Sequence, residues 1–509
     1  MPDSRAPEIT VPPMDVHNRT LVDNVHPPDW VNPEPASRYN LVVIGGGTAG
    51  LVAAAGTALL GGKVALIEKD LLGGDCLNAG CVPSKTLIRS GRAWTDVHEA
   101  RHFGIRIPDG STVDFPAVME RLRRVRAGIS PHDSAQEFTK RGVDVFLGAG
   151  RFTGPDTIEV AGKILRFKKA VIATGARAAR PAIEGLEEAG YLTNETVFSL
   201  TELPGRLAVI GGGPLGCELA QAFGRLGSEV VLLHKHSALL DGGDADAAGI
   251  IEQTFKDEGL RLVLDAQIKR VTRSATGKVI HFEASGQAGT VEVDTILVGA
   301  GRTPNVEGLN LEAVGVRYDK REGIVVDDRL QTTNSRIYAC GDVCMKWKFT
   351  HAADAAARIV IENALFFGFK KLSTLTMPWC TYTDPEVAHV GLYEREAQQH
   401  GISVETFFAP LEETDRAATD GEADGFAKIH VRRGTDKIVG ATIVARHAGE
   451  MINELTLAMV ARKGLGTLSK VIHPYPTRAE VIRRAADHHS LGRLGQLQKL
   501  SKVWLAWTR

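Results

Sequence analysis

The sequence predicts an α/β protein in which one structural unit occurs twice and is followed by a smaller α+β domain. Residues 41–69 align without a gap on residues 207–235. Each stretch has an apolar strand, a Gly-rich turn, a helix of small residues and a second apolar strand, which is the pattern of a βαβ unit. Residues 376–490 lack such a turn, and alternating segments such as 426–433 predict a sheet with one solvated face.

Composition narrows the class of protein. The 509 residues are 43% hydrophobic and 24% charged, as in globular proteins, and the net charge of −1 gives no basic excess for nucleic-acid binding. No apolar run reaches the roughly 18 residues of a membrane span, and residues 1–10 lack a signal-peptide pattern. Six cysteines are too few for a disulfide scaffold in a chain of this length. We expect a cytoplasmic protein that binds no nucleic acid.

Residues 1–37 hold eight of the 22 prolines and show no apolar periodicity. This composition predicts an extended N-terminal arm, with Val25, Trp30 and Val31 packed on the body of the protein. A disordered tail is the alternative.

Both βαβ units carry Gly-x-Gly-x-x-Gly between the first strand and the helix, at Gly45, Gly47 and Gly50 and again at Gly211, Gly213 and Gly216. Glycines at these positions let the backbone approach a pyrophosphate, which binds at the positive N-terminus of the helix. Two such motifs in register predict two Rossmann-like dinucleotide-binding domains and two dinucleotides.

The second strands of the two units end differently. The first ends in Glu68, whose carboxylate would accept ribose hydroxyls and repel a 2′-phosphate, so this unit suits FAD or NAD. The second has His234, Lys235 and His236 there and no acid in that position. A cationic cluster favours a 2′-phosphate and hence NADPH over NADH; the alternative is that these are ordinary surface residues.

Residues 73–85 contain Cys76 and Cys81, five positions apart. On a regular helix this spacing would place the side chains roughly 140° apart, too far for a disulfide. The glycines around them allow an irregular turn instead, and Pro83 suits the first turn of a following helix. The helix N-terminus and Lys85 would lower the pKa of the Cys81 thiol. The pair is therefore a candidate redox dithiol, and no second cysteine pair completes a zinc site.

Taken together, these motifs resemble the class I flavoprotein disulfide reductases, the pyridine nucleotide-disulfide oxidoreductases that include dihydrolipoamide dehydrogenase, glutathione reductase and mercuric reductase. The resemblance covers residues 39–490 in the family's order. It implies an FAD-binding domain (38–180 and 304–375), an NAD(P)-binding domain (181–303) and an α+β dimerisation domain (376–490) of a homodimer, with the arm before them and a basic tail (491–509) after them.

The resemblance also implies which residues bind the cofactors. FAD would be held by Gly45, Gly47, Gly50, Glu68, Gly74, Lys85, Gly150, Thr174, Gly175, Asp342 and Thr350. NADPH would be held by Gly211, Gly213, Gly216, Glu218, His234, Lys235, His236, Gly301 and Arg302.

The mechanism implied by the resemblance passes hydride from NADPH to the flavin and electrons from the flavin to a Cys76–Cys81 disulfide. Cys81 would face the flavin as the charge-transfer thiolate, and Cys76 would exchange with substrate. Lys85 would lie near the flavin ring and pair with Glu218.

The segment 472–480 bears on the substrate. Dithiol reductases of the family carry two histidines there, of which the second is an acid/base supplied by the partner subunit; this chain has His473, then Tyr475 in the place of the second, and Glu480. Mercuric reductase has a tyrosine at that place, and a phenol oxygen with two thiolates suits transient binding of a soft cation by Cys76, Cys81 and Tyr475. We therefore expect a mercuric-reductase-like enzyme without a resident metal, with a dihydrolipoamide-dehydrogenase-like enzyme as the alternative. Whether His473 or Tyr475 transfers protons is left open.

We also expect a departure from mercuric reductase, because residues 491–509 hold no cysteine pair and the sequence shows no N-terminal heavy-metal domain with its own CxxC. The tail has four cationic residues and no acid, with apolar residues at helical spacing at Leu491, Leu494, Leu497, Leu500 and Trp504. It would either pack across the dimer or touch a membrane surface, as in an auxiliary membrane-associated diaphorase.

Overall fold

The computed structural model describes residues 9–366 and 368–509, without the side chains of 492–500. The arm, expected to be extended, contains a helix, α1 (Val16–Val25), which is capped by Asp15. Its apolar face is buried in the core of the first domain, and Trp30 packs against the same core. Val31 is 70% exposed, contrary to expectation. Residues 1–8 lie outside the described part.

The first βαβ unit forms as predicted, and the domain continues from it. Its elements are β1 (Tyr39–Ile44), α2 (Thr48–Leu59), β2 (Val64–Glu68), α3 (Gly74–Asn78), α4 (Cys81–Glu99), α5 (Phe115–Ile129), α6 (Ala135–Lys140), β3 (Val143–Leu147), β4 (Gly150–Gly154), β5 (Thr157–Val160), β6 (Lys163–Ile172) and β7 (Ala176–Ala178).

The second βαβ unit also forms as predicted. Its region comprises α7 (Leu186–Ala189), β8 (Arg206–Ile210), α8 (Pro214–Arg225), β9 (Glu229–Leu233), α9 (Ala245–Asp257), β10 (Arg261–Val263), β11 (Ala266–Arg273), β12 (Lys278–Ala284), β13 (Gln287–Val293) and β14 (Thr295–Val298). The parallel sheet has the order β10-β9-β8-β14, and β11-β12-β13 form a separate antiparallel sheet.

The chain then returns to the first domain through β15 (Arg302–Pro304), β16 (Tyr318–Asp319), β17 (Gly323–Ile324), β18 (Ile337–Ala339) and α10 (Thr350–Leu365). Strand β18 pairs in parallel with β6, which completes a seven-stranded sheet, and β15 pairs with β7. Residues of α10 and α2 share one core, so the N-termini of both helices lie in the same domain as β1.

The C-terminal domain contains β19 (Pro378–Thr381), β20 (Glu386–Gly391), α11 (Glu394–Gln399), β21 (Val404–Pro410), α12 (Asp415–Asp420), β22 (Phe426–Arg432), β23 (Ile438–Ala445), α13 (Ala448–Val460), α14 (Leu465–Leu468) and α15 (Glu480–Trp507). Its antiparallel sheet has the order β19-β20-β23-β22-β21.

The expectation that this sheet has a solvated face is wrong, because β22 and β23 are buried on both faces. Ala427 and Ile443 face the helices of their own domain. Phe426 and Val444 belong to a core shared with the second domain. Alternate residues along these strands therefore point into two different cores, not into a core on one side and solvent on the other.

The fold is thus the α/β architecture that the sequence predicts. The tail continues α15 without a break, and Leu491 and Trp504 in it are 60% and 61% exposed. The side chains of Leu494, Leu497 and Leu500 lie outside the described part. Within residues 9–366 and 368–509, no helix is both long and apolar enough to cross a membrane.

Candidate active site

The two cysteines of the redox motif lie on either side of a tight turn. Cys76 is in the short helix α3, and Cys81 is the first residue of α4. Gly80, between them, is tightly placed: a Cβ there would lie 2.7 Å from the carbonyl oxygen of Asp75. The irregular turn predicted from the glycines is therefore present, and both cysteines are thiols that hydrogen-bond each other.

Electrostatics separate the two thiols. The hydrogen bond from Cys76, Thr350 Oγ1 at 3.4 Å from Sγ and the nearby Lys85 ammonium together lower the pKa of Cys81 to about 6, against the opposing effect of burial. The pKa of Cys76 is raised by its hydrogen bond to Cys81, by burial and by the nearby Asp133 carboxylate. These shifts favour the thiolate of Cys81 and the thiol of Cys76 at neutral pH, and the charge-transfer role that the resemblance implies for Cys81 requires a thiolate.

Lys85 and Glu218 connect α4, the helix that begins at Cys81, to α8 of the second domain. Lys85 Nζ donates to Glu218 Oε2 at 2.8 Å, the pairing that the resemblance implies, and Glu218 is 4% exposed. The other oxygen of Glu218 accepts from the backbone N–H of Tyr382 at 2.9 Å, and Lys85 Nζ lies 4.5 Å from the centre of the Tyr382 ring. Tyr382 was missed in the sequence because nothing in its local pattern indicates contact with Lys85.

The first Gly-rich turn is too tight for side chains. Gly45 has a φ of +109°, and a Cβ there would lie 2.3 Å from the carbonyl oxygen of Ala173. A Cβ on Gly50 would lie 1.8 Å from Gly45 O, and one on Gly74 would lie 2.7 Å from Gly47 Cα. The redox helix α3 therefore approaches the Gly-rich turn backbone to backbone.

The helices that follow the two Gly-rich turns have uncapped N-termini. Gly47 and Gly213 precede α2 and α8 and offer no side chain to the first N–H groups. By contrast, Asp15, Asp114 and Asp244 cap α1, α5 and α9. N–H groups left open at a helix N-terminus form an anion site, so both helices fit a pyrophosphate.

Glu68 and His234 lie at the ends of the second strands of the two βαβ units, and each accepts a hydrogen bond from the corresponding backbone N–H of its own Gly-rich turn. Glu68 accepts from the N–H of Gly46, and His234 Nδ1 accepts from the N–H of Gly212 at 3.0 Å. Both side chains are buried, and burial lowers the pKa of His234. The expectation that His234 contributes positive charge is therefore wrong.

Of the three basic residues at the end of β9, two are exposed. Lys235 and His236 point outward, but Asp241 lies 3.3 Å from His234 Nε2 and 3.6 Å from His236 Nε2. The sequence alignment missed this acid because Asp241 follows the strand by several residues.

Arg302, which was expected to hold NADPH, instead contacts residues of the expected FAD-binding domain. It donates to Asp75 and to the carbonyl oxygen of Ala176, and its Nε lies 3.3 Å from Asp342 Oδ2. Burial raises the pKa of Asp342. A carboxylate placed in this way suits a polyol, so the residues present fit the FAD that the Gly-rich turn predicts.

The other expected cofactor residues occupy defined positions. Thr174 and Asn305 exchange two hydrogen bonds, between Thr174 Oγ1 and Asn305 O at 2.7 Å and between Asn305 Nδ2 and Thr174 O at 2.9 Å. Gly175 and Gly301 adopt positive φ in open space, whereas a Cβ on Gly150 would lie 3.1 Å from Ile67. Gly150 is thus a packing glycine under β2.

The C-terminal residues do not contact Cys76 within one chain. Tyr475 is 72% exposed, and its hydroxyl donates to Asp415 at 2.5 Å, which raises the phenol pKa. His473 Nε2 lies 3.1 Å from both oxygens of Glu454. Glu480 is buried, and its Oε2 has no hydrogen-bond partner in the described structure.

The fold and the site define a two-dinucleotide flavoprotein with a reactive dithiol. The family model described as pyridine nucleotide-disulphide oxidoreductase matches residues 39–357, and the model for its dimerisation domain matches residues 377–486. The chain belongs to the pyridine nucleotide-disulphide oxidoreductase family, whose members use FAD and a pyridine nucleotide.

Mercuric reductases and dihydrolipoyl dehydrogenases are both among the relatives of this chain. The chain is 35% identical to the mercuric reductase of Staphylococcus aureus, over 88% of this chain and 82% of the relative. It is 34% identical to the dihydrolipoyl dehydrogenase of Chlamydia trachomatis, over 88% and 96%.

Solved structures show the same fold. LpdA from Mycobacterium tuberculosis has a TM-score of 0.80 at 29% identity, over 89% of this chain and 99% of that one. The HOCl-induced flavoprotein disulfide reductase RclA from Escherichia coli has a TM-score of 0.78 at 28% identity, over 88% and 99%.

Proposed function

We propose that the protein is an FAD-dependent, NADPH-oxidising enzyme that delivers electrons through Cys76 and Cys81 to a soft metal ion, as mercuric reductase does. The main support for this proposal is the thiolate of Cys81 next to the thiol of Cys76. The second support is Tyr475, which stands where dithiol reductases of the family have a histidine. FAD would supply the two-electron transfer between the nicotinamide and the cysteine pair.

The chain's own residues have distinct tasks in this proposal. The Lys85 ammonium and Thr350 hold negative charge on Cys81, and Glu218 fixes the position of Lys85. Cys76 is the thiol that meets the acceptor. The overall change balances as NADPH and Hg²⁺ giving NADP⁺, H⁺ and Hg⁰.

The tyrosine favours a metal acceptor over a disulfide. Exchange with a disulfide substrate needs a proton acceptor near pH 7, and an unperturbed phenol has a pKa of about 10. The hydrogen bond to Asp415 raises the phenol pKa further. A phenol oxygen and two thiolates, however, suit a soft cation as ligands.

The acceptor site is proposed to span two subunits. Tyr475 is largely exposed and has no contact with Cys76 in its own chain, and the dimerisation domain is present. We place Tyr475 and Glu480 of one subunit opposite Cys76 of the other, with the unsatisfied Glu480 oxygen available to the assembled site.

One observation favours the alternative, a dihydrolipoamide-dehydrogenase-like activity. His473 is oriented by both carboxylate oxygens of Glu454, which is the arrangement of a general base held by an acid. In that case His473 would serve the thiol exchange in place of Tyr475.

The preference for NADPH is also part of the proposal. The positive charge that would attract a 2′-phosphate comes from Lys235 and His236, because His234 is buried and neutral. The Asp241 carboxylate next to His236 reduces this attraction.

An acceptor screen tests the function directly. NADPH oxidation by the purified holoenzyme is measured with mercuric ion, cupric ion, lipoamide, glutathione disulfide and a quinone; cupric ion is included because RclA has also been solved as a Cu(II) complex. We expect the highest rate with mercuric ion and none in Cys76→Ser. A quinone rate that survives Cys76→Ser, with no metal or disulfide turnover, would identify a diaphorase instead.

A further inference from the structure

Two buried side chains hold the turn between the redox cysteines. Arg126 Nη1 donates to the carbonyl oxygen of Asn78 at 2.6 Å, and Asn194 Nδ2 donates to the next carbonyl, that of Ala79, at 3.2 Å. Arg126 and Asn194 are 3% and 4% exposed. The backbone that separates the two thiols is therefore fixed from outside the redox motif.

Arg126 is in turn held by the N-terminal arm. Its Nη2 donates to Asn18 Oδ1 at 2.6 Å, and Asn18 is completely buried. The Asn18 side-chain amide also donates to two backbone carbonyls of the same arm, Val11 O at 3.0 Å and Pro13 O at 2.9 Å. One planar guanidinium thus bridges the arm and the redox turn, a geometry that a lysine cannot reproduce.

The arm is anchored on the same region at further points. Asp15 Oδ2 lies 2.5 Å from Arg123 Nε on α5, the helix that carries Arg126. At the other end of α1, Val25 O accepts from the N–H of Leu72 at 3.2 Å, and His26 contacts Asp70 O. The arm therefore touches the segment leading into the redox helix as well as the turn after Cys76, and it precedes the region matched by the family model.

We propose that Asn18, acting through Arg126, positions the turn between Cys76 and Cys81 and so stabilises their disulfide. This inference rests on the proposed function of the pair as a redox dithiol. Asn18 and Arg126 are positioning residues, because neither contacts the reacting sulfur atoms.

The direction of the expected change in the reduction potential of the disulfide follows from the geometry of the turn. At neutral pH, reduction of the disulfide consumes two electrons and one proton and yields the Cys76 thiol and the Cys81 thiolate. Re-formation of the disulfide requires the sulfurs to approach to about 2.05 Å. A loosened turn lowers the effective concentration of one thiol at the other, which disfavours the disulfide and raises its reduction potential. A tenfold change in the equilibrium constant of this two-electron couple corresponds to about 30 mV.

The experiment compares Asn18→Ala, Arg126→Lys and Asn194→Ala with Asn32→Ala. Asn32 is a matched control, because it is also a buried asparagine of the arm, but its two hydrogen bonds go to Leu147 in β3. The holoenzyme is equilibrated in dithiothreitol redox buffers, and thiol labelling of the peptide that carries Cys76 and Cys81 gives the midpoint potential. FAD content reports whether each variant is folded.

We expect Asn18→Ala and Arg126→Lys to favour the dithiol by roughly tenfold relative to wild type, with Asn194→Ala changing in the same direction and Asn32→Ala unchanged. Equal midpoints for Asn18→Ala, Asn32→Ala and wild type would overturn the inference. If a variant does not fold, the remaining variants decide. A wild-type protein in which both cysteines of this peptide stay labelled in every buffer would instead contradict the proposed function.

Discussion

The different protonation of two cysteines five positions apart is the most consequential feature at the residue scale. Cys81 begins a helix, faces Thr350 and lies near Lys85, whereas Cys76 has the Asp133 carboxylate nearby. The sequence predicted the helix N-terminus and Lys85. Thr350 was predicted only as a cofactor residue, and Asp133 was missed, because both are distant in the chain.

The pH dependence of the thiolate follows from these contacts. A pKa of about 6 for Cys81 means that the thiolate is present above this pH and is lost on acidification. In the two-electron-reduced enzyme, the long-wavelength thiolate–flavin absorption should therefore disappear with a midpoint near pH 6. Lys85→Met removes a positive charge and should shift the midpoint upward, whereas Lys63→Met, on a surface ion pair with Asp144, should not. The same midpoint in Lys85→Met would contradict this assignment.

Tyr475 and His473 make opposite predictions for the two candidate acceptors. With mercuric ion, Tyr475→Phe should lower turnover more than His473→Ala, because the phenol is a ligand. Lipoamide turnover should be poor in the wild type and should rise in Tyr475→His, by up to the roughly 10²–10⁴-fold that a histidine base contributes. Steady-state rates of the three variants with both acceptors decide. Rapid lipoamide turnover in the wild type, lost only in His473→Ala, would establish the dihydrolipoamide-dehydrogenase-like alternative.

At the scale of elements, the repeated βαβ unit explains both what the sequence predicts and what it misses. Strand, turn and helix were predictable because close backbone approach demands glycine at Gly45 and Gly50. That Glu68 and His234 both turn inward to the Gly-rich loop was not predictable, because the pattern of a strand end does not show the direction of its side chain. The helix α1 was missed because it has no long apolar repeat. It is stabilised instead by the Asp15 cap and by packing against α5.

The end of β9 carries the prediction on cofactor choice. We expect a higher kcat/KM with NADPH than with NADH, and Lys235→Glu should lower it for NADPH alone by roughly tenfold, since one phosphate contact is lost. Lys256→Glu, an exposed lysine on α9 of the same domain, is the charge-matched control. A clear NADH preference in the wild type would show that Asp241 outweighs Lys235 and His236.

At the scale of the whole molecule, the proposed acceptor site combines residues of two subunits, with Tyr475 and Glu480 of one opposite Cys76 of the other. A hybrid dimer of one Cys76→Ser chain and one Tyr475→Phe chain, isolated with two affinity tags, would contain one intact site if the site spans the subunits. Its mercuric-ion turnover should be about half that of the wild type. If both residues acted within one chain, the hybrid would be as inactive as its parents.

Anaerobic titration of the holoenzyme with NADPH tests the central claim, that electrons pass from NADPH through FAD to the Cys76–Cys81 pair. The first equivalent should produce long-wavelength absorption from the Cys81 thiolate beside oxidised flavin. Cys76→Ser should show this absorption before any NADPH is added, and Cys81→Ser should never show it, while both retain FAD. Complete bleaching of the wild-type flavin by the first equivalent, with no long-wavelength absorption, would mean that the electrons stop at the flavin and would contradict the account.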